Sequence, residues 1–311
     1  MLKRWFPLVH SFGFVRDALH AEISHIGLRP DIRAIAEAAF GEAGLSFAIF
    51  GGTPSVHQKV TVQFFRDGRI LGYMKLTDSA SVASLFAHEQ KLLVALSGAG
   101  LTGIPRCLSC RTLPDGTSVF VQSTVKTRRS ASPHRWTGLH EDFLTGMACL
   151  TSARMLFDNT DFARSLIELK GNLGRIPEGC RDVIEKALLS ELADVTGHTV
   201  EYSAFHADFT PWNMFVEDGR LFVFDWEYGR MSYPPMLDKY HFYVQQALHV
   251  AHLSPAEIHR KISTQSWYDP RLFACYLLDI ISRFVSREPG ELPQSLAAML
   301  ASWTSMLKML Q

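Results

Sequence analysis

The stretch FHADFTPWN at residues 205–213, followed by FDWE at residues 224–227, is the most informative part of the sequence. The first segment contains Asp208 and Asn213, and the second places Asp225 directly after an apolar run. Carboxylate and amide oxygens are ligands that Mg²⁺ prefers, and a further carboxylate can orient a hydroxyl group and accept its proton. The pattern therefore predicts a metal-assisted site in which Asp208 acts on a hydroxyl while Asn213 and Asp225 hold the metal.

The residues between the two motifs have the pattern of a short hairpin. The β-rich runs Met214–Glu217 and Leu221–Phe224 flank Asp218-Gly219, a pair that favours a tight turn. Such a hairpin brings the residue after its second strand opposite the loop that precedes its first strand. The alternative is an ordinary loop that is rich in Asp, Asn and Pro. The strand-turn-strand context favours the catalytic interpretation.

Composition limits the class of protein. The chain has 311 residues and a formal net charge of +0, so two domains are expected and no overall field attracts nucleic acid or anionic lipid. No apolar run is long enough to span a bilayer, and the N-terminal apolar stretch is interrupted by His10 and Arg16. We expect a cytoplasmic protein that binds no nucleic acid and has no membrane span. No pattern indicates an oligomeric state.

The cysteines do not suggest a disulfide framework or a metal site. There are 5 of them, an odd number, and Cys107 and Cys110 form a CxxC with no second ligand pair nearby. Because they lie in an alternating segment, they are interpreted as thiols on a strand.

Hydrophobic periodicity divides the chain into a β-rich part and a helical part. The first part contains a short helix near residues 31–43 and then has the order β-β-β-α-β-β. Its strands are predicted at Ser46–Phe50, Lys59–Phe65, Ile70–Leu76, Pro105–Thr112 and Ser118–Ser123, with a helix at Ser81–Leu96. Later helices are predicted near 138–158, 160–170, 180–194, 236–252, 254–263, 270–287 and 291–310. We predict domains at residues 1–123 and 124–311.

HADFTPWN followed by FDWE resembles the catalytic and metal-binding loops of the aminoglycoside phosphotransferase and choline kinase superfamily, which is related to protein kinases. The resemblance covers about residues 45–245. It implies an α+β, bilobal, protein-kinase-like fold, with a small β-rich N-lobe and a larger, mainly helical C-lobe. It also implies ATP and Mg²⁺ as cofactors, a small-molecule hydroxyl as acceptor, Asp208 as catalytic base, and Asn213 and Asp225 as metal ligands.

The small lobe contains residues that match the same family. Lys75 ends an apolar strand and Glu89 follows within a helix, in the order of the Lys–Glu pair that binds the nucleotide phosphates. His88 and Gln90 compete with Glu89 for this assignment. Each residue alone is typical of a solvated surface, but the pair in this order favours nucleotide binding.

A glycine-containing turn between the first two strands occupies the position of a phosphate-covering loop. Gly51, Gly52 and Ser55 are its candidate phosphate-binding residues, since glycine lets backbone N–H groups approach a phosphate. A plain hairpin turn is an almost equal alternative.

The sequence departs from the family at two positions in the catalytic loop. Ala207 stands where glycine is common, which is unfavourable if that residue needs a positive φ. Trp212 is bulkier than usual, and we expect it to pack beneath the loop rather than to contact substrate. Asp238, after a pair of prolines, is expected to brace the loop from the start of a helix.

The acceptor has a weaker signature. From Gly229 to Gln311 there are eight Lys/Arg and six Asp/Glu, so no acidic excess marks a site for polycationic aminoglycosides. A sugar, glycan or amino alcohol is favoured. The aromatic residues of this region could form a sugar-stacking or cation-binding wall, although core packing is favoured; they are Tyr240, Phe242, Tyr243, Trp267 and Tyr268. The histidines are expected mostly to lie at the surface or to pack in the core; they are His241, His249, His252 and His259. The alternative functions are a nucleotide-binding pseudokinase that regulates a partner protein and an AMP-transferring enzyme.

Overall fold

A computed structural model describes residues 27–51, 59–288 and 290–311. The chain forms two compact units, which alternate along the sequence. One contains the described residues up to Ser97, together with Gly103–Ala131 and Glu217–Phe222. The other contains Gly98–Thr102, Ser132–Val216 and Val223–Gln311. A β-rich unit and a helical unit confirm the predicted α+β class, whereas the domain division after residue 123 stays a prediction.

The first unit is built on a five-stranded antiparallel sheet in the order β1-β2-β3-β5-β4. Its elements are α1 (Pro30–Phe40), β1 (Ser46–Gly51), β2 (Val60–Arg66), β3 (Arg69–Thr77), α2 (Ala80–Gly98), β4 (Cys107–Thr112) and β5 (Ser118–Ser123). This is the predicted order, with strand ends displaced by no more than two residues. Cys107 and Cys110 are free thiols of β4, as expected.

Helix α1 belongs to the core of this unit. Its residues Ile32, Ile35 and Ala36 are buried in one apolar cluster with strand residues such as Val62 and Met74. Removing this much apolar surface from water is the main stabilising term available to a small sheet. The helix therefore completes the β-rich unit.

The second unit is mainly helical. Its helices are α3 (Gly138–Thr151), α4 (Asp161–Asn172), α5 (Glu178–Val195), α6 (Leu237–His249), α7 (Pro255–Ser263), α8 (Pro270–Arg287) and α9 (Gln294–Lys308). The side chain of Thr160 caps α4, and Ser254 with Glu257 forms a capping box on α7, so these starts are encoded locally. The helices enclose one large apolar core.

Short strands complete the structure. They are β6 (Ala153–Leu156), β7 (Thr199–Phe205), β8 (Met214–Glu217), β9 (Arg220–Val223) and β10 (Arg230–Tyr233). Strands β10, β7 and β6 form an antiparallel sheet, and β8 pairs with β9 as predicted for the hairpin. The prediction of a helix through residue 158 was wrong, because α3 ends at Thr151 and β6 pairs with β7 over forty residues later. Such distant pairing leaves no local signal.

Within the described ranges, no helix is long and apolar enough to cross a membrane. The N-terminal residues 1–26 lie outside these ranges.

Candidate active site

Strand β7 leads directly into the catalytic loop. Its last four residues are buried, which fixes where the chain leaves the sheet. Asp208 follows, and its side chain is 35% exposed, so solvent or a substrate can reach it. The side-chain nitrogen of Asn213 lies 2.7 Å from Oδ2 of Asp208 and 3.0 Å from its main-chain oxygen. The 3₁₀ turn Pro211–Asn213 thus folds the asparagine back onto the aspartate.

His206 links the catalytic loop to the segment that contains Asp225. Its Nδ1 accepts a hydrogen bond from the backbone N–H of Asp208 at 3.1 Å, so its Nε2 donates to the oxygen of Phe224, also at 3.1 Å. The N–H of Phe224 in turn donates to the oxygen of Asn213 at 2.9 Å. Asp225 follows Phe224 directly, so two hydrogen bonds hold its backbone beside the loop. Burial lowers the pKa of His206 to about 4, which keeps the ring neutral.

Asp238 braces the loop from below, as the sequence suggested. It is the second residue of α6 and is buried. Its carboxylate accepts hydrogen bonds from the backbone N–H groups of His206 (2.8 Å) and Ala207 (3.0 Å). Arg283 of α8 donates to the oxygen of Ala207 at 2.8 Å and to Asp279 at 2.7 Å. Both backbone polar groups of Ala207 are therefore bound by side chains, and the hydrogen bond from the Arg283 guanidinium is charge-assisted, which is the strong form.

Ala207 has a φ of 71°, the left-handed conformation that favours glycine. A residue with a Cβ in this conformation carries a strain of about 1–2 kcal/mol. The hydrogen bonds from Asp238 and Arg283 hold the strained residue in place. Alanine thus replaces the family's common glycine at a position that does adopt the left-handed conformation.

His241 is a contact of Asp208 that sequence reasoning missed. Its Nε2 lies 3.1 Å from Oδ1 of Asp208, and its side chain is 3% exposed. Burial has the largest single effect and works against ionisation of Asp208, but the hydrogen bond from His241 and the electrostatic interactions with His241 and His206 together outweigh it and hold the pKa of the carboxyl below its usual range. A signal was present, because residues three apart in a helix share a face and Asp238 was already expected to face the loop.

The donor set at this site fits a hard divalent cation. Because the side-chain nitrogen of Asn213 is bonded to Asp208, its Oδ1 points away from that carboxylate and is the atom that could bind a metal. Asp225 could contribute a partly exposed carboxylate. Oxygen ligands of this kind, completed by waters and nucleotide phosphates, are typical of Mg²⁺.

Lys75 and Glu89 form a buried ion pair within the β-rich unit. Nζ of Lys75 lies 2.7 Å from Oε2 of Glu89, and both side chains are almost completely buried. His88 and Gln90, the competing positions, are not the partner in this contact. Lys75 also lies over the ring of Phe120, with 5.4 Å between Nζ and the ring centroid. The predicted ion pair is therefore present, and its role in nucleotide binding stays a prediction.

The candidate phosphate loop is described only in part. Gly51 is the last residue of β1 and pairs with Val60 of β2. Gly52 and Ser55 lie outside the described residues. Their assignment stays a prediction.

Trp212 does not pack beneath the loop. The indole is 46% exposed, although its neighbours Pro211 and Asn213 are buried. The expectation of a packing role was wrong, because the 3₁₀ turn directs the residues on either side inward and leaves the indole in solvent. A large apolar side chain is therefore exposed next to the residue that contacts Asp208.

The ammonium group of Lys239, a residue of α6, lies against the rings of two neighbouring tryptophans. Nζ of Lys239 lies 5.3 Å from the ring centroid of Trp136 and 4.8 Å from that of Trp267. It also lies 2.6 Å from Oε2 of Glu141, and its side chain is 8% exposed. This cluster is occupied by the protein's own ammonium group, so packing, and not capture of a cationic acceptor, explains it.

The fold matches several solved structures, although no protein-family model and no curated protein matches the sequence. A thermostable mutant of the aminoglycoside phosphotransferase APH(4)-Ia is 13% identical, with a TM-score of 0.58 over 89% of this chain and 98% of that one. The amicoumacin kinase hAmiN, solved with AMP-PNP, Ca²⁺ and Ami, is 12% identical, with a TM-score of 0.54 over 84% and 88%.

A putative fructosamine-3-kinase from Haemophilus somnus 129PT is also 12% identical, with a TM-score of 0.52 over 90% of this chain and 96% of that one. The matches span nearly the full length of each neighbour, so they concern the whole fold and not a shared substructure. Matches at 12–13% sequence identity show that the fold is shared, and they do not by themselves show a shared function. The chain thus shares the overall fold of these solved structures, which agrees with the fold that the resemblance of its catalytic-loop motifs implied.

Proposed function

We propose that this protein is an ATP- and Mg²⁺-dependent phosphotransferase that moves the γ-phosphoryl group of ATP to a hydroxyl of a small molecule. The observation that carries the proposal is the environment of Asp208. Its carboxylate is accessible, yet each oxygen accepts a hydrogen bond from a fixed side chain, His241 at Oδ1 and Asn213 at Oδ2. Such preorganisation is what a group needs to orient an acceptor hydroxyl and take its proton.

The other candidate residues have complementary roles in this proposal. Lys75 binds the nucleotide phosphates and Glu89 holds the lysine in position, as in related kinases. Asn213 and Asp225 hold Mg²⁺, which would neutralise charge on the phosphate oxygens when bound. Structural neighbours solved with AMP-PNP or ADP support a nucleotide as the donor.

A sugar, glycan or amino alcohol is the acceptor class that we favour. Trp212 directly precedes Asn213 in the catalytic loop and is 46% exposed, so part of a flat apolar ring is open to solvent on this loop. A ring with a nonpolar C–H face, such as a sugar, could stack on it. The region from Gly229 to Gln311 has no excess of acidic residues, which argues against a polycationic acceptor.

The test is turnover of Mg-ATP with pools of sugars, amino alcohols and aminoglycosides, with separate detection of ADP and pyrophosphate. We expect acceptor-dependent ADP release that falls at least about 1000-fold in Asp208→Ala, because the reacting carboxylate is lost. Asp182→Ala, which removes an exposed carboxylate of α5, is the matched control and should retain the wild-type rate.

The products separate this proposal from its competitors. Pyrophosphate release would indicate AMP transfer and would contradict phosphoryl transfer. Nucleotide binding without turnover on any acceptor would favour a pseudokinase. Failure to bind ATP in the presence of Mg²⁺ would overturn the proposal as a whole.

A further inference from the structure

His241 lies on α6, three residues after Asp238, and therefore on the same face of the helix. The carboxylate of Asp238 accepts hydrogen bonds from two backbone N–H groups of the catalytic loop, which hold it in place. The helix start is thereby attached to the loop, and one turn later the imidazole reaches Asp208, with 3.1 Å between Nε2 and Oδ1. The contact between His241 and Asp208 therefore depends on how α6 is positioned along the catalytic loop.

The hydrogen on this imidazole can be assigned. An ionised carboxylate only accepts hydrogen bonds, so Nε2 of His241 must carry a hydrogen. Nδ1 is buried and has no hydrogen-bond partner in the described part of the chain. A second N–H at Nδ1 would be buried without an acceptor, which is costly. Burial also lowers the pKa of His241. The ring is therefore neutral and in the Nε2–H tautomer.

Together with Asn213, this imidazole restrains the carboxylate of Asp208 from both sides. The torsion that rotates a carboxylate about its Cβ–Cγ bond is broad and two-fold, so a single hydrogen bond leaves it loosely defined. Donors at both oxygens fix the plane of the group. Each oxygen retains a second lone pair, so the carboxylate can still accept a proton.

We infer that His241 is a positioning residue, which fixes the carboxylate of Asp208 in the orientation that receives the acceptor proton. This inference rests on the proposed function. In the reaction, the acceptor oxygen forms a bond to the γ-phosphorus, and the bond from that phosphorus to the bridging oxygen breaks, releasing ADP. The hydroxyl proton passes to Asp208 and then to solvent, while His241 keeps its own proton throughout.

A purely structural role for His241 is the competing explanation. The ring is buried and meets Tyr276 edge-on, with centroids 5.8 Å apart, so it also fills space in the core. A residue that only packs would affect stability but not the turnover of the folded enzyme. The two roles therefore differ in kcat per folded molecule.

The experiment compares His241→Gln with His241→Leu. The Gln Nε2 is separated from Cβ by the same number of bonds as the His Nε2, so it can donate to Asp208, whereas Leu fills similar space without a donor. We expect kcat to fall about 10- to 100-fold in His241→Leu and to stay within about 5-fold of wild type in His241→Gln. KM for ATP should be nearly unchanged in both. Circular dichroism and thermal unfolding give the folded fraction.

A second readout is independent of turnover. Nitrogen NMR of the histidine rings should show His241 as the Nε2–H tautomer, with a signal that shifts in Asp208→Asn but not in Asp182→Asn. A wild-type kcat in His241→Leu, or an Nδ1–H tautomer, would overturn the inference. Absence of turnover in the wild type would contradict the proposed function instead, and the ring signal would still show whether His241 binds Asp208.

Discussion

The side-chain nitrogen of Asn213 contacts Asp208 twice, at the carboxylate (2.7 Å) and at the main-chain oxygen (3.0 Å). One amide group thus holds both the reacting side chain and the backbone that carries it. Its other atom, Oδ1, stays available for a cation. The same residue therefore connects the position of the carboxylate with the position of the metal in the proposed reaction.

Asn213→Ala should impair both tasks. We expect kcat to fall about 100- to 1000-fold, because one oriented donor and one metal ligand are lost together. The concentration of Mg²⁺ that gives half-maximal rate should rise. Steady-state kinetics over a Mg²⁺ titration measures both effects. Asn159→Ala, an exposed asparagine in the same unit, is the control, and equal behaviour of the two variants would refute the assignment.

The Lys75–Glu89 pair allows stability to be separated from nucleotide binding. Glu89→Ala removes the carboxylate that lies 2.7 Å from a buried ammonium group, and we expect a loss of about 3–5 kcal/mol in the free energy of unfolding. The double variant Lys75→Met with Glu89→Leu should recover most of that stability, since an apolar pair needs no charge compensation. It should nevertheless fail to bind ATP, as measured by calorimetry. Normal ATP binding by the double variant would rule out the nucleotide-binding role.

Ala207 should respond to substitution unlike an ordinary buried alanine. Its φ of 71° disfavours any side chain with a branched Cβ, so Ala207→Val should lower the free energy of unfolding by roughly 3 kcal/mol through backbone strain and overpacking. Ala207→Gly should stay within about 1 kcal/mol of wild type, since strain relief offsets the lost methyl group. In contrast, Ala298→Gly on the exposed face of α9 should cost about 1 kcal/mol. Urea unfolding compares all three variants.

His206 and Asp238 should make opposite contributions to acid stability. Burial lowers the pKa of His206 from 6.5 to about 4, so between these values the unfolded chain binds more protons. Acidification through that range should then lower the free energy of unfolding by roughly 3 kcal/mol through this group. Burial raises the pKa of Asp238 from 3.8 to about 7, so there the folded chain binds more protons. Acidification from about pH 7 to about pH 4 should therefore raise the free energy of unfolding by roughly 4 kcal/mol through Asp238.

Because the two contributions nearly cancel, single substitutions should reveal them. His206→Asn should gain stability on acidification from pH 7 to pH 4.5 relative to wild type. Asp238→Asn should lose stability over the same interval, although both variants start less stable at pH 7. Urea unfolding at the two pH values measures the changes. Identical pH dependence in the two variants would show that neither pKa is displaced as described.

Trp212 should affect the acceptor but not the nucleotide. Because its indole is exposed beside Asn213, Trp212→Ala should raise the KM for a sugar acceptor about 10-fold while leaving the KM for ATP and the folding stability nearly unchanged. Trp212→Phe keeps a flat ring and should retain most of the affinity. If Trp212→Ala and wild type have the same acceptor KM, the stacking hypothesis fails, whatever the outcome for the phosphotransferase itself.

Local sequence patterns predicted most of the fold. The five strands and the two helices of the β-rich unit follow from alternation, turn residues and helical spacing, all of which act over a few neighbouring residues. Strands β6, β7 and β10 were not predicted. Strands β6 and β10 have only four residues each, and β7, although it has seven, pairs with these two strands, which are distant in the chain. A four-residue strand with exposed residues on both faces, such as β6, has no periodicity to detect.

For the candidate site, the sequence by itself determined the types and order of the chemical groups: Asp208, Asn213 and Asp225 on one loop and hairpin, and Lys75 with Glu89 on a strand and a helix. Fixed spacing within a loop leaves few ways to arrange such groups. Only the tertiary structure decided that His241 reaches Asp208 and that the indole of Trp212 faces solvent. These facts depend on how α6 docks against the loop and on how a single turn is oriented. Contacts between distant segments and directions of side chains have no counterpart in local composition, so only the folded chain specifies them.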